Sequence, residues 1–485
     1  MDVGRLGAVG SDAAPLAVDI AGSESTARPQ IPRRRRAATW LPYAVWAIAA
    51  VLYSTLSLTR FATLSTPSWD NAIFEQAIRA YAHLQAPVVD IKGPGYNILG
   101  DHFSPILAVL APFYRLFPHA QTLLILQAVL ITASIVPIFR IAMLRLGFSG
   151  GVAVGIAYAL SFGIQSAVYT DFHEVAFAAP LMAFAGEAYL RRRPRLVAVW
   201  SLPLLLVKED LGITLAAIGV VLMIAGARRV GIWLTGVGVG GFLLVLFVVI
   251  PAFNSAGSFD YWATVSFGQN GPNAVQTFFT GWDVKTITLL LTFGITGFLA
   301  LRSPWVLVAG PTLAWRWIGK NPDYWGTNWH YSLILMPVVF VALIDGYGRV
   351  HLKAPAWLRS YAAHVPTATV AMALVLCLQF PLASLLKSQT WRPSTDARAA
   401  QAVMALIPQG AGVETNMGLI THLATRDHVY WFGTVGTAVP DYVLIDTHTP
   451  NDGGDPVEYA QRQHRGHTYR KIFDSGGYLL VQRTK

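Results

Sequence analysis

Apolar segments of roughly helix-spanning length recur along this chain between residues 40 and 387, separated by short polar loops. About 20 apolar residues cross a hydrocarbon core of about 30 Å as a helix. Lipid leaves no external partner for a backbone amide, so such a run must be helical or part of a closed barrel. The alternation that marks barrel strands is absent. Eleven transmembrane helices are expected, at about 40–60, 120–142, 149–168, 175–190, 196–210, 211–226, 231–252, 285–301, 304–318, 331–347 and 366–387. Charged residues make up only 13% of the chain, half the share of a soluble domain.

The charges that remain are sorted. The formal net charge is +10, but its cations sit in short loops between apolar runs, which argues against nucleic acid and for the positive-inside pattern. With Arg33–Arg36 in the cytosol, the loops with Arg140 and Arg145, Arg191–Arg195, Arg228 and Arg229, Arg302, and Arg349–Arg359 all fall inside. The loops with Asp70, Asp171, Glu209 and Asn321–His330 all fall outside. An odd number of spans puts the C-terminus outside. The expected location is a bacterial plasma membrane, multi-pass, with a cytosolic N-terminus. Residues 1–38, rich in small residues and proline, read as a disordered cytosolic tail leading into an uncleaved signal-anchor. The single cysteine, Cys377, excludes an intramolecular disulfide.

Residues 39–389 form the membrane domain, with a long outer loop at 61–119. In that loop, residues 71–84 have apolar positions at helical spacing and are expected to lie along the interface, with 103–117 as a second interfacial or re-entrant helix. Residues 390–485 differ: apolar runs shorten to strand length at 429–432, 442–445 and 478–481, between helical patterns at about 395–407 and 455–465 and turn signals such as Asn451–Gly454. This reads as a small extracytoplasmic α/β domain.

Ionisable residues gather at the outer loops, where charge beside a membrane is costly. Asp70, just after the first span, can serve as a general base or cap the helix that follows. Asp171, His173 and Glu174 stand within four residues; they can hold a divalent cation such as Mg or Mn, or cap the flanking spans. Lys208, Glu209 and Asp210 join two apolar runs in a tight hairpin; Lys208 can meet a lipid phosphate or pair internally with Glu209 or Asp210. His102 and His330 edge apolar segments and can neutralise a phosphate or move a proton. Trp325, Trp329 and Tyr331 form an interfacial belt or a surface on which a sugar stacks. Soluble-enzyme signatures (a P-loop, a dinucleotide fingerprint, HExxH, GxSxG) are absent.

The segments DNAIFEQA at 70–77, GDHFSPILAVLAPFYRLFP at 100–118, DFHEVAFAAP at 171–180, VKEDLG at 207–212, HLATRDHVYWF at 422–432 and PDYVLID at 440–446 resemble the bacterial membrane proteins of domain-of-unknown-function family 2079. More remotely the chain is similar to GT-C superfamily glycosyltransferases. That resemblance implies an all-α polytopic fold with an outer domain, and transfer of a sugar from a polyprenyl-phosphate donor to an envelope glycan or lipid acceptor. By position it implies Asp70 and Glu174 (or Asp171) as the acids, with His102, Lys208, Glu209, Asp210, His330 and Tyr331 toward the substrate. The paired acid usual in the first loop is absent, Trp69 standing before Asp70. A transporter or lipid flippase, or a non-catalytic envelope protein, is the alternative. Transporters keep such groups near the midplane on repeated halves, whereas here they cluster at outer ends.

Overall fold

A computed structural model describes residues 33–263, 273–449 and 455–484. Most of the expected tail and the turn at Asn451–Gly454 lie outside the described residues. The first helix, α1, runs Arg33–Ala62, so the arginine run opens a helix rather than closing a tail. Tyr53 of α1 donates to the Ala159 carbonyl at 2.7 Å and Ser57 to the Val168 carbonyl at 3.2 Å. Arg60 donates to the Tyr169 carbonyl and lies over the Tyr169 ring at 3.4 Å.

Among the described residues five helical stretches are long and apolar enough to cross a membrane: Thr39–Ala62, Ala120–Tyr169, Arg228–Phe253, His330–Val350 and Ala356–Cys377. The second is 50 residues long and doubles back on itself. Gly147 leaves helical geometry at φ 77, and a Cβ on Gly155 would stand 2.1 Å from the Phe139 ring. Sixteen residues of one straight helix would separate those positions by about 24 Å, so the contact requires a hairpin. Several expected spans are broken instead of continuous. The run at 196–210 is a helix Pro194–Ser201 and a 3₁₀ segment Leu202–Leu206 containing Pro203. The run at 285–301 ends as a helix at Gly294, then passes Gly297 and Phe298 in left-handed backbone. The run at 304–318 starts as a 3₁₀ segment Pro304–Ala309. Prolines and left-handed residues cut helices that hydropathy alone draws whole.

His330–Val350 lies at the centre, 78% of its apolar window buried. Small residues let its neighbours close on it: a Cβ on Gly186 would meet Val341 at 2.3 Å, and one on Gly163 the Ser332 carbonyl at 2.6 Å.

Residues 412–483 build a five-stranded sheet, from β1 (Gly412–Thr415), β2 (His428–Trp431), β3 (Tyr442–Asp446), β4 (Tyr469–Ser475) and β5 (Tyr478–Arg483), in the order β2-β1-β3-β5-β4. β1 pairs in parallel with β2 and β3, with Val413 beside Val429 and Glu414 beside Val443. β3–β5 and β5–β4 are antiparallel. The expected strands at 429–432, 442–445 and 478–481 fall on β2, β3 and β5, and helices occupy Thr395–Met404 and Pro456–Gln463.

The outer-loop helix α2, Trp69–Ala82, is covered by protein on more than one side. Asn71 to Ile78 are all buried. One side of α2, including Phe74 and Ile78, joins the membrane core. Another, with Ala72, Ile73 and Ala77, joins a second core built with Val413, Leu423, Val429 and Leu444. Two of its polar side chains reach the C-terminal unit: Asn71 donates to Thr421 at 2.7 Å and Arg79 to the Ala424 carbonyl at 2.7 Å. An amphipathic pattern reports a helix with two unlike neighbours; here the polar neighbour is protein rather than water.

Candidate active site

Two strained residues fix the site. Ser68 and Asp171 both sit at φ 79, a region that non-glycine residues rarely adopt and that costs on the order of 1–3 kcal/mol. The Ser68 amide donates to the Asp171 carboxylate at 2.6 Å, so the start of α2 is tied to the loop after Tyr169. Gln127 holds that loop from within the hairpin, donating to the Asp171 carbonyl at 2.6 Å and accepting from the His173 amide at 2.7 Å.

This scaffold aims Asp70 and His173 at each other. Ser68 precedes α2 as its cap residue, with no capping bond from its side chain, and its hydroxyl accepts from the Thr421 amide at 2.8 Å. Asp70 lies in the first helical turn, where a carboxylate suits the helix dipole. Its side chain does not cap α2; Oδ2 lies 3.1 Å from His173 Nε2. The His173 ring lies tilted against His330 with centroids 3.6 Å apart, and His330 meets Tyr331 at 4.2 Å.

Two further pairs complete the cluster. Lys208 Nζ lies 2.9 Å from Glu174 Oε1, so the internal pairing with Glu209 or Asp210 is not formed. Glu209 instead takes His102 Nδ1 at 2.9 Å and the Phe103 amide at 3.2 Å. His102 stacks on Tyr261 at 4.7 Å, and Asp101 beside it pairs with Lys92. Asp210 Oδ1 is buried with no hydrogen-bond partner among the described residues.

Burial opposes charge throughout, and neighbouring groups decide each case. Burial would raise Asp70, but His173, Lys208 and His102 hold it below its ordinary range. Burial would lower Lys208, but Glu174, Glu209 and Asp210 hold it well above. His102 and His173 are raised by Glu209 and Asp70 against the pull of burial. Asp171 and Asp210 each climb to about 6, chiefly through burial.

The partners of each pair differ in access. The Asp70 side chain is 38% exposed against 5% for His173. Lys208 is 17% exposed against 1% for Glu174, and His102 22% against 7% for Glu209. One acid and two cationic groups therefore reach outward, each backed by a buried partner.

The sequence-derived candidates are thus brought together, with changed parts. Glu174 anchors Lys208, and Asp171 is turned to the backbone of Ser68. Asp171, His173 and Glu174 face three different partners, and among the described residues no three His, Cys, Asp or Glu side chains are arranged to hold a metal ion. The Trp325 indole is buried and donates to the Gly319 carbonyl at 3.0 Å, which makes it part of the loop's own structure. Arg316, fully buried, holds that loop through the Tyr324 and Gly326 carbonyls at 2.6 Å each. Gln127, Arg316 and Tyr261 are absent from the sequence-derived set. The lone amide of Gln127 inside an apolar run was a usable signal; Tyr261 gave none.

No curated protein matches the chain. Among solved structures it is similar to ArnT from Cupriavidus metallidurans bound to undecaprenyl phosphate, at TM-score 0.59 and 14% identity over 92% of this chain and 98% of that one. The apo state of that ArnT gives TM-score 0.54 with the same identity and coverage. At such identity the likeness is one of fold. The model of domain-of-unknown-function family 2079, described as a predicted membrane protein, matches residues 60–481, and the chain belongs to that family.

Proposed function

We propose that this protein is an integral membrane glycosyltransferase of GT-C type, moving a sugar from a polyprenyl-phosphate donor to an extracytoplasmic acceptor. The observation that carries the reading is the access pattern: the Asp70 carboxylate, held ionised, is 38% exposed beside two partly exposed cationic groups whose counter-charges are buried. The likeness in fold to an ArnT bound to undecaprenyl phosphate supports a lipid phosphate as the donor's anchor. In this reading the eleven expected crossings are completed by the broken helices, with the N-terminus cytosolic and the sheet domain outside.

Asp70 accepts the proton of the acceptor hydroxyl as its oxygen attacks the anomeric carbon. The bond from that carbon to the phosphate oxygen breaks in the same displacement, inverting the centre. The charge left on the polyprenyl phosphate meets Lys208 and protonated His102. His173 orients Asp70, while Glu174 and Glu209 hold the two cationic groups in place. No step is routed through a metal, because the candidate ligands are engaged elsewhere.

The test is Asp70→Asn in the purified full-length chain, assayed for sugar transfer with a set of polyprenyl-phosphate sugars. Transfer is expected to fall by roughly 10²–10⁴-fold with melting unchanged. Wild-type rates in that variant would remove the base assignment.

A further inference from the structure

Away from the acid–histidine cluster, two adjoining open grooves run along the helix Pro194–Ser201 and the start of Arg228–Leu244. Their volumes are about 570 and about 410 Å³, and Arg195 and Val199 line both. From Pro194 the chain runs through Leu206 to Lys208, a path of roughly 20 Å, so the grooves sit toward the opposite membrane face.

The walls are apolar and open, with Val199 60% and Trp233 51% exposed. The rim is cationic. Arg193, Arg195, Arg228 and Arg229 are all exposed, and among the described residues none makes an ion pair or side-chain hydrogen bond. The contrast with nearby arginines is direct: Arg140 and Arg191 both spend their charge on Glu187. Arg195 and Arg229 line the same groove as Trp233. A bound molecule must therefore supply negative charge at the rim and hydrocarbon along the wall. A tryptophan at that depth suits the junction between headgroup and acyl chain.

We propose that this groove is a binding site for an anionic phospholipid of the leaflet opposite the candidate active site. The phosphate sits between Arg195 and Arg229, and an acyl chain follows Val199 and Trp233. The inference is independent of the glycosyltransferase reading.

The test is native mass spectrometry of the detergent-solubilised full-length chain, titrated with phosphatidylglycerol or with phosphatidylcholine of the same acyl chains. Phosphatidylglycerol is expected to be retained preferentially. The Arg195→Gln/Arg229→Gln double variant is expected to weaken it roughly 30-fold, about fivefold per arginine. Arg398→Gln, a charge loss at an exposed site on the helix Thr395–Met404 away from the groove, is expected to leave it unchanged. Exposed, unpaired arginines can be replaced at little cost to the fold, so the double variant should melt as the wild type does. Equal retention of the two lipids, or equal weakening by Arg398→Gln, would overturn the proposal. So would binding that survives the double variant but is lost in Lys208→Met, since the lipid would then be in the active-site cluster.

Discussion

Glu75 lies on α2 between the membrane core and the C-terminal unit, fully buried. Its Oε1 accepts from Thr425 at 2.6 Å and from Tyr114 at 2.9 Å, while Oε2 has no partner among the described residues. Burial is the main reason its pKa rises from 4.5 to about 7; the two hydroxyls and Arg79 pull it down only in part. At about 1.4 kcal/mol per pH unit, the ionised carboxylate is disfavoured in the folded state by on the order of 3 kcal/mol. The folded pKa lies above the unfolded one, so this contribution to stability is whole below about 4.5 and is lost as pH rises through about 7. Glu75→Gln keeps the acceptor for Tyr114 and Thr425 and cannot ionise. Its new amide hydrogens fall at the unpartnered Oε2 position, at a cost of about 1–3 kcal/mol that does not vary with pH. The assay is thermal unfolding of the detergent-solubilised chain between pH 5 and 8, read by tryptophan fluorescence. Trp69 and Trp431 meet edge-on at 4.8 Å across the same contact and report its opening. Wild type should lose more stability than Glu75→Gln between pH 5 and 8, by about 2.5 kcal/mol. Parallel pH profiles for the two proteins would refute the assignment of a neutral, buried Glu75.

Two further predictions concern the site. Lys208→Met leaves Glu174 buried without its counter-charge and should cost about 3–5 kcal/mol; Lys208→Met/Glu174→Met should recover most of that stability but not sugar transfer. A double variant that regains transfer would reduce Lys208 to a structural role. Gln127→Leu removes the two bonds that its amide makes to the Asp171–His173 loop, leaving the buried His173 amide unpaired and the Asp171 carbonyl with only the His173 ring nitrogen at 3.2 Å. It should lower stability by about 2–5 kcal/mol and slow transfer at least tenfold; a purely thermal effect would show that the loop position does not matter to the chemistry.

Much of this site was legible because charge is expensive beside a membrane. Asp70, His102, His173, Glu174, Lys208 and Glu209 stood out as polar residues at the ends of apolar runs, and the structure gathers them. Their pairing was not legible. Lys208 had two acids as its immediate neighbours, yet it takes Glu174, because the hairpin at 207–211 faces the loop after Tyr169. Hydropathy drew spans as unbroken runs, and the prolines and left-handed residues at Pro203, Gly297 and Phe298 divided them. The helix at 71–84 was recognisable from its spacing, but nothing local told that its polar side would meet protein.

That arrangement of α2 has a consequence for the order of events during synthesis. Asn71 meets Thr421 across 350 residues of chain. At about 5–20 residues per second, α2 waits on the order of 20–70 seconds for the surface that covers it. Asp70 is made early, yet the C-terminal surface that covers the helix carrying it is not made until about 350 residues later. An incomplete chain can therefore sit in the bilayer while the Asp70 carboxylate is still unplaced, so completion of the C-terminal unit, not membrane insertion, is the moment at which this cluster takes shape.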